Sequence, residues 1–143
     1  MYHYSARFQL DRPSGSYTVT FPDFDWGVTQ GDDLDDAMFM AHDLLKIFLE
    51  DCIEHRKPLP KPSKKGRGYR IVSLPALEEA KVALYAVIHE AGLRNLDLAR
   101  RLRQPVAQVE RLLDLRRRSK MDDIEAAFGV LGKSISIEVR NAA

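Results

Sequence analysis

The sequence predicts an α+β fold in two parts: an N-terminal β-β-β-α-β unit over residues 1–74 and a C-terminal all-helical unit over residues 75–143 that ends in a short strand. Three observations carry this. Apolar residues alternate at Tyr4, Ala6, Phe8 and Leu10 and again at Tyr17, Val19 and Phe21, the period of a half-buried strand. From Leu34, and again from Ala76, the spacing becomes helical. Between these helical stretches runs Lys57-Pro-Leu-Pro-Lys-Pro-Ser-Lys-Lys-Gly-Arg-Gly68, whose prolines favour extended backbone and whose charges resist packing, an exposed connector over about 57–68.

Tyr4, Ala6, Phe8 and Leu10 define one side of a first strand, and Tyr17, Val19 and Phe21 repeat the pattern after Pro13-Ser-Gly-Ser16. A third strand around Gly27-Val-Thr-Gln30 completes an antiparallel meander. The helix expected over Leu34–His55 covers one face of it with Leu34, Ala37, Met38, Ala41, Leu44, Leu45, Phe48, Leu49 and Cys52. Asp33 stands as N-cap, Asp36 at the capping-box position, and Pro58 ends the pattern. Tyr69 to Leu74 reads as a fourth strand returning beside the meander. A helix over Ala76–Ala91 stops at Gly92, two short helices follow at Asn95–Leu102 and Pro105–Leu113, and another spans Met121–Leu131 before Gly132.

The chain has 143 residues, of which 45% are hydrophobic and 30% charged, a balance suited to packed units with little extended disorder. No apolar run is long enough to cross a bilayer and no signal peptide opens the chain, so a cytoplasmic location with no membrane partner is expected. A lone Cys52 within a helical apolar pattern reads as a reduced core residue. The net charge of +1 conceals a division. From Asp11 to Asp43 the acids Asp11, Asp23, Asp25, Asp32, Asp33, Asp35, Asp36 and Asp43 face only Arg12. From Arg94 to Lys120 the bases Arg94, Arg100, Arg101, Arg103, Arg111, Arg116, Arg117, Arg118 and Lys120 face Asp97, Glu110 and Asp114, the balance of a phosphate-binding surface.

The two short helices within that basic stretch have the pattern of a helix-turn-helix, with Asn95 as N-cap, Ala99 as the small residue at the crossing, and Leu98, Leu102, Val109 and Leu112 facing inward. In such a module the outward side of the second helix enters the DNA major groove. Candidate DNA-contacting residues are therefore Arg103, Gln104, Val106, Ala107, Gln108, Arg111, Arg116, Arg117, Arg118 and Lys120, with Gln108 and Arg111 foremost. Any packed helical bundle also shows such spacing; the concentration of one charge sign favours the DNA-binding reading. Arg103 stands where glycine is usual, and Pro105 where Ser or Thr usually caps the second helix. In the tail, Ser134-Ile-Ser-Ile-Glu-Val139 alternates strictly. A strand there needs a partner, either its own N-terminal sheet or a second copy through Ile135, Ile137 and Val139, and the two-fold symmetry of DNA sites favours the second copy.

Two stretches resemble the HicB antitoxins of bacterial toxin–antitoxin pairs: Gly15 to Asp32 with the acid-capped helix after it, and Leu98-Ala-Arg-Arg-Leu102 with Gln108 to Leu115, Ser119 to Ala127 and Leu131-Gly-Lys133. Trp26-Gly27 stands where that family usually has Gly-Cys. The resemblance implies a partial ribonuclease-H-like N-terminal domain that binds a HicA-type toxin, a small mRNA-cleaving ribonuclease. It also implies a C-terminal domain that binds double-stranded operator DNA as a homodimer or tetramer, repressing its own operon. Asp23, Phe24, Asp25 and Trp26 are then the candidate toxin contacts, unless Phe24 and Trp26 are core and the aspartates merely form a turn.

Catalysis is not expected. The acids bunch at a helix start and in a loop, His3, His42, His55 and His89 show no metal-ligand spacing, and no nucleophile or phosphate-loop motif appears, so neither metal nor cofactor is called for. The alternative function is a free-standing repressor whose N-terminal unit senses a small ligand.

Overall fold

In a computed structural model that describes residues 2–141, strand β1 (Tyr4–Leu10) lies inside a four-stranded sheet of order β3-β2-β1-β4. It pairs antiparallel with β2 (Tyr17–Thr20), Phe8 opposite Val19, and on its other side with β4 (Tyr69–Val72), Tyr4 opposite Val72. β3 (Thr29–Gly31) is antiparallel to β2 and forms one edge; it begins later than the expected Gly27. The alternation works as the pleat requires: Tyr4, Ala6, Phe8 and Val19 are buried on one face, whereas Leu10, at the hairpin end of β1, is 44% exposed.

Helix α1 (Leu34–Glu54) covers that face, burying Ala37, Ala41, Leu44, Leu45, Phe48, Leu49 and Cys52. Asp33 caps it by accepting a 2.8 Å bond from Asp36 N–H, and the Asp36 carboxylate accepts from Asp32 N–H, one residue further back than the expected capping box. The helix ends at Glu54 with His55 as cap, beside the expected end at His55 and before Pro58. The chain turns at Arg56, in the left-handed region at φ 51°, where Lys57 N–H returns to Cys52 O at 2.8 Å. Gly31 sets how closely β3 approaches: an added Cβ would lie 2.1 Å from Ala37 N, so the strand backbone rests directly on the first turn of α1.

The stretch expected to be an exposed connector is fastened down. Tyr4 Oη donates to Pro60 O at 2.9 Å, and Ser5 Oγ to Ser63 O at 3.1 Å. Asp23 accepts from both the N–H and the hydroxyl of Ser63. Polar side chains of the sheet and its loop thus satisfy backbone groups of a segment that has no ladder of its own.

Helices α2 (Ala76–Glu90), α3 (Asn95–Leu102), α4 (Val106–Leu113) and α5 (Met121–Val130) build a second core from Leu84, Tyr85, Ile88, Leu98, Ala99, Val109, Leu112, Leu113, Ile124, Ala127 and Phe128. The two cores share their border. Val82 of α2 and Leu115 lie in the first, and Ile53 and Leu59 pack against both. Tyr85 Oη sits 2.5 Å from Lys57 O and 3.1 Å from Cys52 O, tying α2 to the end of α1.

The short terminal strand expected at Ser134–Val139 is absent among the described residues. The tail has no ladder partner and does not rejoin the sheet, Ile135 packs partly on the second core, and Ile137 and Val139 are 79% and 92% exposed. No helix of the described residues is long and apolar enough to cross a membrane.

Gly31→Ala is expected to cost at least about 3 kcal/mol of unfolding free energy, because backbone and not a movable side chain occupies the space. Gly66→Ala, with nothing nearby, should stay within about 0.5 kcal/mol of the parent in the same urea titration.

Candidate interaction surfaces

Helices α3 and α4 meet through a three-residue link, Arg103-Gln104-Pro105. Arg103 takes the left-handed conformation, φ 54° and ψ 46°, that glycine adopts without cost, and Gln104 N–H then closes back on Ala99 O at 3.0 Å. Pro105 is the N-cap of α4, with extended backbone at φ −60° and ψ 148°, standing as expected where Ser or Thr usually caps; the helix itself begins one residue later, at Val106. At α3 the cap is likewise Arg94, not Asn95, and Asp97 accepts its N–H at 2.8 Å. The geometry explains both shifts: a cap needs extended backbone, which Arg94 and Pro105 have.

Leu98, Ala99, Val109 and Leu112 are buried and Leu102 is half-buried, which turns the other side of the pair outward. Arg103, Gln104, Val106, Ala107 and Arg111 are exposed; Gln108 is only half-buried and flanks this face. Arg116, Arg117, Arg118 and Lys120, in the loop after α4, are exposed as well. Two of these cations are already paired. Arg116 Nε lies 3.1 Å from Asp114 Oδ1, and Arg117 Nε 3.6 Å from Asp114 Oδ2. Burial by itself would raise the Asp114 carboxyl, but the Arg116 backbone N–H and the two guanidiniums outweigh it and hold the group below the usual carboxylate range. Among the described residues no ion pair engages Arg100, Arg101, Arg103, Arg111, Arg118 or Lys120, so this side is a field of available positive charge.

Beneath it sits a residue that the sequence reading missed. Lys81, on α2, is wholly buried, and its Nζ donates to the carbonyls of Arg111 at 3.1 Å, Asp114 at 2.9 Å and Arg117 at 2.7 Å. The signal was present in the spacing: Lys81 shares the helical face of Leu77, Leu84 and Ile88, where an apolar residue belongs.

In the first unit the loop Asp23–Trp26 divides by direction. Asp23 is occupied by Ser63, and Phe24 turns inward, stacked on Phe48 at 4.4 Å and tilted against Tyr4 at 5.0 Å. Asp25 is exposed. Trp26 is 48% exposed, its inner edge against Phe48 at 4.6 Å. Val28, Phe39 and Ile47 are also exposed, at 62%, 64% and 49%, on β3's approach and on the outer side of α1. Asp32, Asp33, Asp35, Asp36 and Asp43, before and along α1, are exposed too, so the first unit presents both apolar and acidic side chains to solvent. Asp33 and Asp36 serve the helix start as well. No group of three or more His, Cys, Asp or Glu among the described residues could hold a metal ion.

Residues 3–83 match the model of a protein family described as the HicB-like antitoxin of bacterial toxin–antitoxin systems. Over 134 residues the chain is 32% identical to Antitoxin HicB 2 of Photorhabdus laumondii, covering 94% of each chain. It is 30% identical over 125 residues to Antitoxin HicB of Escherichia coli, covering 87% of this chain and 91% of that one. A solved chain of a toxin–antitoxin complex from Streptococcus pneumoniae is similar at a TM-score of 0.44 and 21% identity, over 74% of this chain and 91% of that one. The curated relatives are named as antitoxins, not as enzymes.

Replacing the strained Arg103 by glycine relieves the left-handed backbone and should raise stability by roughly 0.5–1 kcal/mol, after the added freedom of the unfolded chain is subtracted. A thermal melt of Arg103→Gly should therefore move up by a few degrees; a lower midpoint would mean that the guanidinium, and not the turn, governs this position.

Proposed function

The chain belongs to the HicB-like antitoxin family, and from that premise we propose that this antitoxin of a toxin–antitoxin system performs two tasks on two surfaces. The mixed apolar and acidic surface of the first unit binds and silences a HicA-type ribonuclease toxin. The basic side of α3, α4 and the loop after them acts as a helix-turn-helix that binds operator DNA and represses the operon.

The observation that carries the reading is the division of charge in space as well as in sequence: exposed acids around α1's start, exposed and uncommitted arginines at α3 and α4. An RNA-cleaving toxin must present a cationic surface to phosphates, and an acidic surface with apolar anchors is complementary to it. Within the candidate toxin contacts, Asp25 and Trp26 make the contact, while Asp23 and Phe24 hold the loop in place from behind. Within the candidate DNA contacts, Ala107 faces outward from α4, Gln104 and Gln108 flank it, and Arg103, Arg111, Arg118 and Lys120 reach phosphates. Arg116 and Arg117 contribute through a network in which Asp114 fixes their direction.

The β-β-β-α-β order of the first unit supports a partial ribonuclease-H-like description. Assembly as a homodimer, and from it a tetramer, is favoured by the tail: Ile137 and Val139 stand exposed on an alternating segment outside any sheet, which a second copy of the same segment would pair across a two-fold axis. A ligand-sensing repressor remains the second reading, favoured by the open cleft of about 390 Å³ between α1 and the helical unit, lined by Glu50, Arg56, Tyr85 and Arg116 among others. A cytoplasmic site of action follows from both partners.

Because Val82 and Leu115 belong to the first core, the two tasks are best separated by point substitutions in the full chain. Trp26→Ala should weaken binding of the small basic protein encoded in the adjacent reading frame by roughly 30-fold or more, an anchor-sized effect, and leave binding to DNA from upstream of its own gene unchanged. Arg111→Ala should do the reverse, weakening DNA binding and flattening its salt dependence by about one unit of logarithmic slope. Calorimetry and electrophoretic shift assays read the two; equal loss of both bindings in either variant contradicts the separation.

A further inference from the structure

We infer that Lys81 is a positioning residue for operator binding, holding the end of α4 and the arginine loop in one rigid arrangement from beneath. The inference rests on the reading of that side as a DNA surface. An ammonium has three N–H donors, and here each finds a backbone carbonyl: Arg111 O in the last turn of α4, Asp114 O at its cap and Arg117 O in the loop beyond. The last carbonyls of a helix have no partner within it and carry its negative pole, so a cation set among them is bound by charge as well as by hydrogen bonds. The chain thereby folds over one point. The residues that supply the carbonyls, Arg111 and Arg117, and their neighbours Arg116 and Arg118, are those whose side chains extend to the outside.

Lysine suits this position better than its alternatives. A planar guanidinium would spread its donors in a fan, whereas the three carbonyls converge on one nitrogen. Methionine fills similar volume but withdraws the shared donor: the carbonyls of Arg111 and Asp114 keep one hydrogen bond each, from Asp114 N–H at 3.3 Å and Arg117 N–H at 3.2 Å, whereas that of Arg117 loses the one it makes to Lys81. Burial pulls the Lys81 ammonium below its ordinary value, and the nearby carboxylates of Asp114 and Glu78 pull it back up. Glu78 in turn pairs with Lys46 of α1 at 3.1 Å, so the anchor is continuous with the first unit.

The test is the salt dependence of DNA binding by Lys81→Met in the full chain, with duplex DNA from upstream of its own gene as probe. Partial unfolding would lower apparent affinity by the same factor at every salt concentration and leave the slope untouched. Displaced arginines remove phosphate contacts and flatten it. The expected result is an affinity loss of about tenfold or more, with a slope flatter by about two units, while binding to the adjacent-frame protein is retained. An unchanged slope overturns the inference, whatever happens to affinity. A parent chain that binds no DNA defeats instead the reading of the surface. A second measurement needs no variant to fold: lysine-selective nitrogen NMR of the parent should show one ammonium resonance protected from exchange with water, and the absence of any such resonance overturns the inference as well.

Discussion

The C-terminal half of this molecule is organised around a single buried cation. Lys81 is wholly enclosed, and removing an ammonium from water is costly unless every donor is matched. Three carbonyls match it, from the end of α4, its cap and the loop beyond, which the bonds from Asp114 N–H to Arg111 O and from Arg117 N–H to Asp114 O wind into successive turns around it. Loss of a carbonyl partner would leave a buried N–H donor unmatched, and loss of the ammonium would take from the Arg117 carbonyl its bond to Lys81, so the arrangement is closer to all-or-none than an apolar contact would be. That property defines a surface where hydrophobic packing alone would tolerate several.

Lys81 belongs to a helix that touches both units. On α2, Glu78 meets Lys46 of α1, Glu79 lies 3.0 Å from His3 Nε2 beside β1, Val82 enters the first core, and Tyr85 reaches the carbonyls of Cys52 and Lys57. Arg56, at the left-handed turn after α1, donates to Leu93 O at 2.7 Å just before α3. The acidic and basic surfaces therefore sit on units joined by directional polar bonds as well as by shared apolar residues. In the proposed antitoxin this joint keeps the toxin surface and the operator surface in a defined relation.

The elements were legible wherever one period dominated. Alternation around Tyr4–Leu10 and the acid-capped apolar run of α1 needed no tertiary information, and the helices at Asn95–Leu102 and Val106–Leu113 lie where their spacing puts them. What escaped depended on partners distant in sequence. The stretch after Lys57 has the composition of a loose connector, yet Tyr4, Ser5 and Asp23 bind its backbone. Lys81 stands at a core position on α2, but only the fold reveals which carbonyls receive it. Phe24 and Trp26 look equivalent as neighbouring aromatics; the ring of Phe48 separates them, one stacked flat beneath and one presented at the rim. The tail failed differently: its alternation is real, but a strand exists only with a partner strand, and a single chain supplies none.

The account stands on two surfaces that can be occupied at once. Size-exclusion chromatography with light scattering on the antitoxin, the adjacent-frame protein and duplex DNA from upstream of the gene tests this most directly. The account predicts one species containing all three, with a mass equal to the sum of its parts. Release of the DNA as the protein partner is titrated to one copy per chain would show that the two compete for one surface, and would contradict it.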